Sequence, residues 1–222
     1  MPRPLLAVFL VLILLFSTAA LAVDPPPVGD DAVLCIYTQW SEDSGPADGD
    51  IEYPAWVPFT AYPISIVLYH PEGEDGLAGL DYSLHVDQGE VELMNGVDFL
   101  FIDTVTMPGF EGDYINLGDP LNVFMGLSEG AFPVNGGIPI MTGQLFFLPT
   151  VALDEPITLR FGEFSTPSVP GQMTYVTFDD LEVYRRMVPN NMTGDLALPV
   201  FSFGVPVSVQ GISLSGVKSL FN

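Results

Sequence analysis

Beyond its first two dozen residues, no stretch of this chain holds apolar side chains at helical spacing for twelve residues without meeting Gly or Pro. Short β-rich runs separated by turn residues recur instead, which leaves strands as the regular structure available. The clearest run is Leu80-Asp81-Tyr82-Ser83-Leu84-His85-Val86. Side chains alternate along a strand, so Leu80, Tyr82, Leu84 and Val86 share an inward face while Asp81, Ser83 and His85 share a polar one. Residues 156–161 repeat the pattern, with Ile157, Leu159 and Phe161 inward and Thr158 and Arg160 outward. Residues 64–69, 97–106, 121–125 and 144–148 are more apolar and read as central strands. Val176 and Phe178 occupy even positions but Leu181 and Val183 odd ones, so a bulge or turn is expected at Asp179-Asp180, where the inward face changes parity. Roughly nine or ten strands without crossover helices make an all-β chain, an antiparallel β-sandwich or jelly roll.

Residues 1–22 read as a signal peptide: Arg3, an apolar run over 5–16, and the small-residue cleavage site Ala20-Leu21-Ala22. A Pro-rich mature N-terminus (23–30), a sandwich domain (31–206) and a C-terminal tail (207–222) follow. Cleavage leaves 222 − 22 = 200 residues, which suit one sandwich domain. The expected location is extracellular, on the cell surface or in the periplasm, with no membrane insertion after cleavage.

Lys+Arg number 5 against Asp+Glu 28. Losing Arg3 leaves 4 − 28 = −24 on the mature chain. So few cations cannot neutralise a phosphate backbone, which excludes sequence-independent nucleic-acid binding, and they form no basic patch for anionic lipid. The single cysteine, Cys35, excludes an intrachain disulfide and a Cys-based zinc site, and is expected as a buried thiol.

Motifs that suggest catalysis fail on context. Gly126-Leu127-Ser128-Glu129-Gly130 fits a nucleophile elbow, but Pro133, Gly136 and Gly137 oppose the helix that must follow, and His70 and His85 both precede the serine. A turn is the expectation there. Asp43-Ser44-Gly45 stands alone, without a second copy to share a proton. Glu111-Gly112-Asp113-Tyr114-Ile115-Asn116 has Asn where some sandwich glycosidases carry a third acid. His85, on the polar face of its strand, is expected to be a solvated surface residue. No cofactor is required, though calcium is admissible because it takes oxygen donors in irregular loops. Asp48, Asp50 and Glu52 are the candidate donors, and 72–75 is a further acidic loop.

Trp40, Tyr53, Trp56 and Tyr62 cluster in an acidic irregular segment. Sugar C–H faces stack on such rings, making a glycan platform one reading; rings that plug the end of the sandwich are the other. Asn191-Met192-Thr193 is a glycosylation sequon.

Ile64-Ser65-Ile66-Val67-Leu68-Tyr69, then Gly76-Leu77-Ala78-Gly79-Leu80-Asp81-Tyr82-Ser83-Leu84-His85-Val86, resembles the early strands of cohesin-like sandwiches. Gly143-Gln144-Leu145-Phe146-Phe147 resembles a later strand of the same modules. The chain also resembles uncharacterised secreted bacterial proteins with this strand order. Some of those end in S-W-G-x-hydrophobic-K-x-L-aromatic; here Ser213 to Phe221 carries Leu214 in place of Trp and an extra Ser before Gly216. Cohesins bind dockerin modules through one sheet face, so the resemblance implies an extracellular recognition or structural module. The expected function is non-catalytic binding of an extracellular protein or carbohydrate, or structural adhesion. A secreted glycoside hydrolase with paired carboxylates is the alternative, and the C-terminal tail is a candidate sorting or attachment element.

Overall fold

The computed structural model describes residues 32–204 apart from 39–51, 54, 70, 72–74, 120, 135, 153–154 and 192; at 52, 53, 103 and 104 it describes the backbone alone. The signal peptide and the C-terminal tail lie outside the described residues. Every described element is a strand. In chain order they are β1 (Ala32–Tyr37), β2 (Glu52–Tyr53), β3 (Ala61–Tyr69), β4 (Leu77–Gln88), β5 (Val91–Glu92), β6 (Phe99–Thr106), β7 (Tyr114–Asn116), β8 (Asn122–Ala131), β9 (Gly137–Phe147), β10 (Ile157–Gly162), β11 (Met173–Thr177), β12 (Asp180–Pro189) and β13 (Phe201–Phe203). Nine of the thirteen have five residues or more, in keeping with the number of hydrophobic runs.

β4 organises one layer. Ser83 pairs with both Gly162 and Asn122, and Leu80 with both Tyr175 and Met125. Strands β10 and β11 therefore lie end to end on one edge of β4, with β8 and β5 on the other. β7 extends β8, and β13 then β2 extend β10. The second layer runs β12-β1-β3-β9-β6. β11 joins the layers, because it pairs with β4 on one side and β12 on the other. The two layers then fold face to face. β13 and β9 are far apart along the hydrogen-bonded path, yet the Phe203 ring lies 5.0 Å from Phe147 and 5.1 Å from Tyr62 of β3. The ladder is antiparallel except at β1/β12 and β13/β2, which are parallel. The sandwich is thus mixed, not purely antiparallel as strands without crossover helices suggested.

Alternation places the core as the sequence implies in most strands. Ile157, Leu159 and Phe161 are fully buried, as are Tyr82, Leu145 and Phe147. Edge-to-face contacts among Phe147, Phe201 and Phe203 each contribute about 0.5–1.5 kcal/mol beyond area burial. Cys35 is wholly buried beside Val67 and Tyr69.

Two expectations are corrected. The polar face of β4 is covered: Asp81 and Ser83 are 1% and 5% exposed. The loop after β10 closes over them, since Ser168 N–H donates to Asp81 Oδ2 and Ser83 Oγ donates to the Glu163 carbonyl. The turn between β11 and β12 falls where expected, but its faces are reversed. Met173, Tyr175 and Thr177 point inward, whereas Val176 and Phe178 are half-buried and Leu181 and Val183 are exposed. A bulge between Tyr175 and Thr177 shifts the register before the turn is reached. Apolar residues there mark an outer surface, which parity alone cannot distinguish from a core.

Candidate functional site

That outer surface forms a groove of about 190 Å³ across β8, β4 and β11. Gly79 of β4 and Gly126 of β8 face each other in register and make its floor. Ile115, Leu117 and Phe124 form one wall; Val176, Phe178 and Leu181 form the other. The two glycines differ. A Cβ at Gly79 would meet the Met125 carbonyl at 2.7 Å, so the backbone itself demands glycine. A Cβ at Gly126 would meet nothing within 4 Å. Glycine weakens a strand interior unless something approaches closely. No packing contact in the fold requires it at Gly126, so its bareness serves the open floor.

Asp81 and Tyr184 stand among the lining residues. Asp81 Oδ1 accepts from the Thr174 backbone N–H and hydroxyl, each at 2.8 Å, and Oδ2 accepts from Ser168 N–H. Three donors hold this carboxylate in place and brace the loop after β10. Burial, then the charge of Asp81, pushes the Tyr184 hydroxyl above the ordinary tyrosine value, so it stays neutral beside the groove. Beside it, Arg185 Nη1 donates to Thr177 Oγ1 at 2.7 Å, and Arg185 Nη2 lies 3.4 Å from Asp179 Oδ2. The Thr177 hydrogen bond, then the backbone and Arg185, holds the Asp179 carboxyl below its usual range.

A second cavity, between β5 and the start of β8, contains an array with the outline of a catalytic triad. Ser83 Oγ lies 2.8 Å from His85 Nε2, and His85 Nδ1 lies 2.7 Å from Glu92 Oε1. A nucleophilic serine must pass its proton to the imidazole. Here the single Ser83 proton is directed at the Glu163 carbonyl, and the residue is almost wholly buried. The array acts as a brace: His85 ties β4 to Glu92, and Arg160 bonds Asp87 at 2.7 Å and approaches Glu92 at 3.7 Å. Gly162 makes room for it, because a Cβ there would stand 2.6 Å from His85 Nε2 and 2.8 Å from Ser83 Oγ. His85 is therefore a bonded, partly buried residue and not a solvated one.

The remaining candidates separate. Trp56 is fully buried and 5.3 Å from the Phe147 ring. Tyr62 is 6% exposed and accepts the Val57 N–H on its hydroxyl. These two rings plug the end of the sandwich, so the platform reading does not hold for them: neither offers an open face. Trp40, Asp48 and Asp50 lie outside the described residues, as does Asp43-Ser44-Gly45. Tyr53 and Glu52 are described by backbone alone, on β2 against Phe203 and Ser202. Among the described residues no three His, Cys, Asp or Glu side chains gather as a metal site, and no helix is long and apolar enough to cross a membrane.

Ser128 is neither elbow nor turn. It lies within β8, where its hydroxyl accepts the Asp113 N–H. Glu111 and Asp113 are exposed beside β7. In the sequon, Asn191 Nδ2 donates to the Asp195 and Leu198 carbonyls, which commits the amide that a glycan would occupy.

No family model matches the chain, and no curated protein does. Two solved structures are similar in shape. One is the sixth cohesin from scaffoldin B of Acetivibrio cellulolyticus, in complex with a Cel5 dockerin mutant. It has a TM-score of 0.37 at 8% identity, covering 70% of this chain and 96% of that one. The other is a type III cohesin module from the cell-surface anchoring scaffoldin ScaE of Ruminococcus flavefaciens, with a TM-score of 0.38 at 9% identity, covering 86% and 96%. Both are cohesin modules.

Proposed function

We infer that the chain is a secreted, non-catalytic module that holds a segment of another extracellular protein in the groove over β4, β8 and β11. The observation that carries this reading is Gly126. A strand glycine with open space above it, flanked by apolar walls, suits the close approach of a partner's backbone or side chain. Acids adjoin the walls at Asp179, Asp180 and Glu182, and the mature chain carries 4 − 28 = −24. A partner with apolar anchors flanked by Lys or Arg complements that surface.

The test fills the floor. The Cβ of Gly126→Leu stands in open space, so the variant is expected to fold while the rest of the side chain fills the groove. Extracellular proteins of the producing organism, passed over immobilised wild type and Gly126→Leu, report the difference. The reading expects a protein retained by the wild type, lost with Gly126→Leu and still held by Ile102→Lys on the opposite layer. Equal retention by all three sinks it, as does retention of polysaccharide alone.

A further inference from the structure

The groove over β4, β8 and β11 is specific in shape. Register sets Ile115, Gly126, Gly79 and Val176 in one row across β7, β8, β4 and β11. Paired residues share a face, so this row carries side chains at its two ends and none on the two strands between. Adjacent strands lie about 4.8 Å apart, so β7 and β11 stand about 14 Å from each other across a bare floor. The next row, Phe124, Asp81 and Thr174, bounds one end. The Phe124 ring lies 5.5 Å from Phe164, in the loop after β10, which fixes that end. At the other end Phe178 N–H donates to the Gly76 carbonyl, where the β11–β12 turn meets the start of β4.

Such a floor selects by shape. It is flat and bounded by apolar walls, and an aromatic ring is the flat apolar group among side chains. The volume of about 190 Å³ sets the number. An apolar cavity of about 150 Å³ holds benzene, so one ring fills this groove and two do not. Asp81 offers a ligand no ionic anchor, because its three hydrogen bonds are internal. Charge lies instead at the turn end. Asp75 and Glu182 are exposed there and Asp180 is half-buried, while Arg185 pairs with Asp179. Val176 and Asp179 are three residues apart, at most about 10 Å of extended chain. A cation two or three residues from the ring therefore reaches those carboxylates.

We propose that the groove takes a single aromatic side chain of an extended partner segment, its ring flat on Gly79 and Gly126, with a Lys or Arg two or three residues away facing Asp75, Asp180 and Glu182. This rests on reading the groove as the binding surface and names the anchor that the surface selects. An aliphatic anchor of similar bulk is the competing occupant.

Three acetylated heptapeptides separate them, each with Lys at positions two and six and with Phe, cyclohexylalanine or Ala at the centre. Each is titrated to millimolar concentration into the nitrogen-15-labelled mature protein, with the Gly79 and Gly126 amide resonances as the readout. The Phe peptide should move both resonances and bind at least tenfold more tightly than the Ala peptide and several-fold more tightly than the saturated ring. Leu117→Ser, a change at an exposed wall residue, should weaken the Phe peptide several-fold. Glu182→Gln should weaken it too, while leaving unchanged a Phe peptide with Ser in place of both Lys. Equal binding of the Phe and cyclohexylalanine peptides overturns the aromatic anchor, and so does a Phe peptide that moves neither glycine. Capture of a protein that is lost with Gly126→Leu, together with no response to the Phe peptide, overturns the ring and leaves the groove as the binding surface. Failure of that underlying reading shows separately, as equal capture by wild type and Gly126→Leu.

Discussion

Asp81 shows how much one carboxylate can carry when the chain closes over it. Removing it in Asp81→Ala leaves Thr174 N–H, the Thr174 hydroxyl and Ser168 N–H without their acceptor. A buried donor left unpaired costs about 1–3 kcal/mol, and the three share one site, so a loss of about 2–4 kcal/mol is expected in urea unfolding. A loss under 0.5 kcal/mol would mean that solvent reaches the site. Alternation put Asp81 on the correct face, but that face was read as wet. The loop that dries it joins residues far away in sequence, so no local pattern announces it. Tyr184 carries a second consequence. Its raised pKa means that the unfolded chain loses this proton first as pH climbs. Its contribution is therefore intact below the ordinary tyrosine value and is lost as pH rises through it toward the folded one. Ultraviolet titration should place a phenolate step above 10.0 that Tyr184→Phe removes. Unchanged spectra in the variant would contradict the assignment.

Among the elements, β8 and β10 place their glycines to opposite ends. Gly126 leaves space above the sheet, so Gly126→Leu should shift Tm by only a few degrees while closing the groove. Gly162 leaves space for a hydrogen-bonded pair, and Gly162→Ala pushes a methyl into His85 and Ser83. A loss of about 1–3 kcal/mol is expected from that overpacking, measured by thermal or urea unfolding. A neutral Gly162→Ala would imply that the His85–Glu92 brace is dispensable. The β11–β12 hairpin responds to acid with a defined sign. Asp179 is held below its usual pKa, so its contribution is present above the unfolded value and is lost as pH falls through the folded one. Protection factors of the hairpin amides, corrected for the intrinsic exchange rate at each pH, should fall across that window, and Asp179→Asn should remove that fall. The strands themselves were legible because period-two alternation depends only on neighbours. The reversed faces of β11 and β12 were not, since an outer wall of apolar residues has the same local pattern as a core.

For the whole molecule, the excess of acid over base is largely unpaired. Arg160 answers it at Asp87 and Glu92, and Arg185 at Asp179. Self-repulsion of this kind opposes compaction and is screened by salt. Moderate sodium chloride should therefore raise Tm by a few degrees, and a flat or falling Tm would refute that account. The all-β class followed from turn spacing alone, and the aromatic plug was one of two readings the sequence left open. Which sheet face stays open could not be read, because it depends on strands paired across the whole chain.

One of those pairings also sets an order in time. β1 hydrogen-bonds in parallel to β12, with Ala32 opposite Met187, 187 − 32 = 155 residues later. Until β12 has left the ribosome, one edge of the second layer is open and the strand that joins the layers has nothing to join. The core is therefore completed late, only once both partners of this pairing have been made.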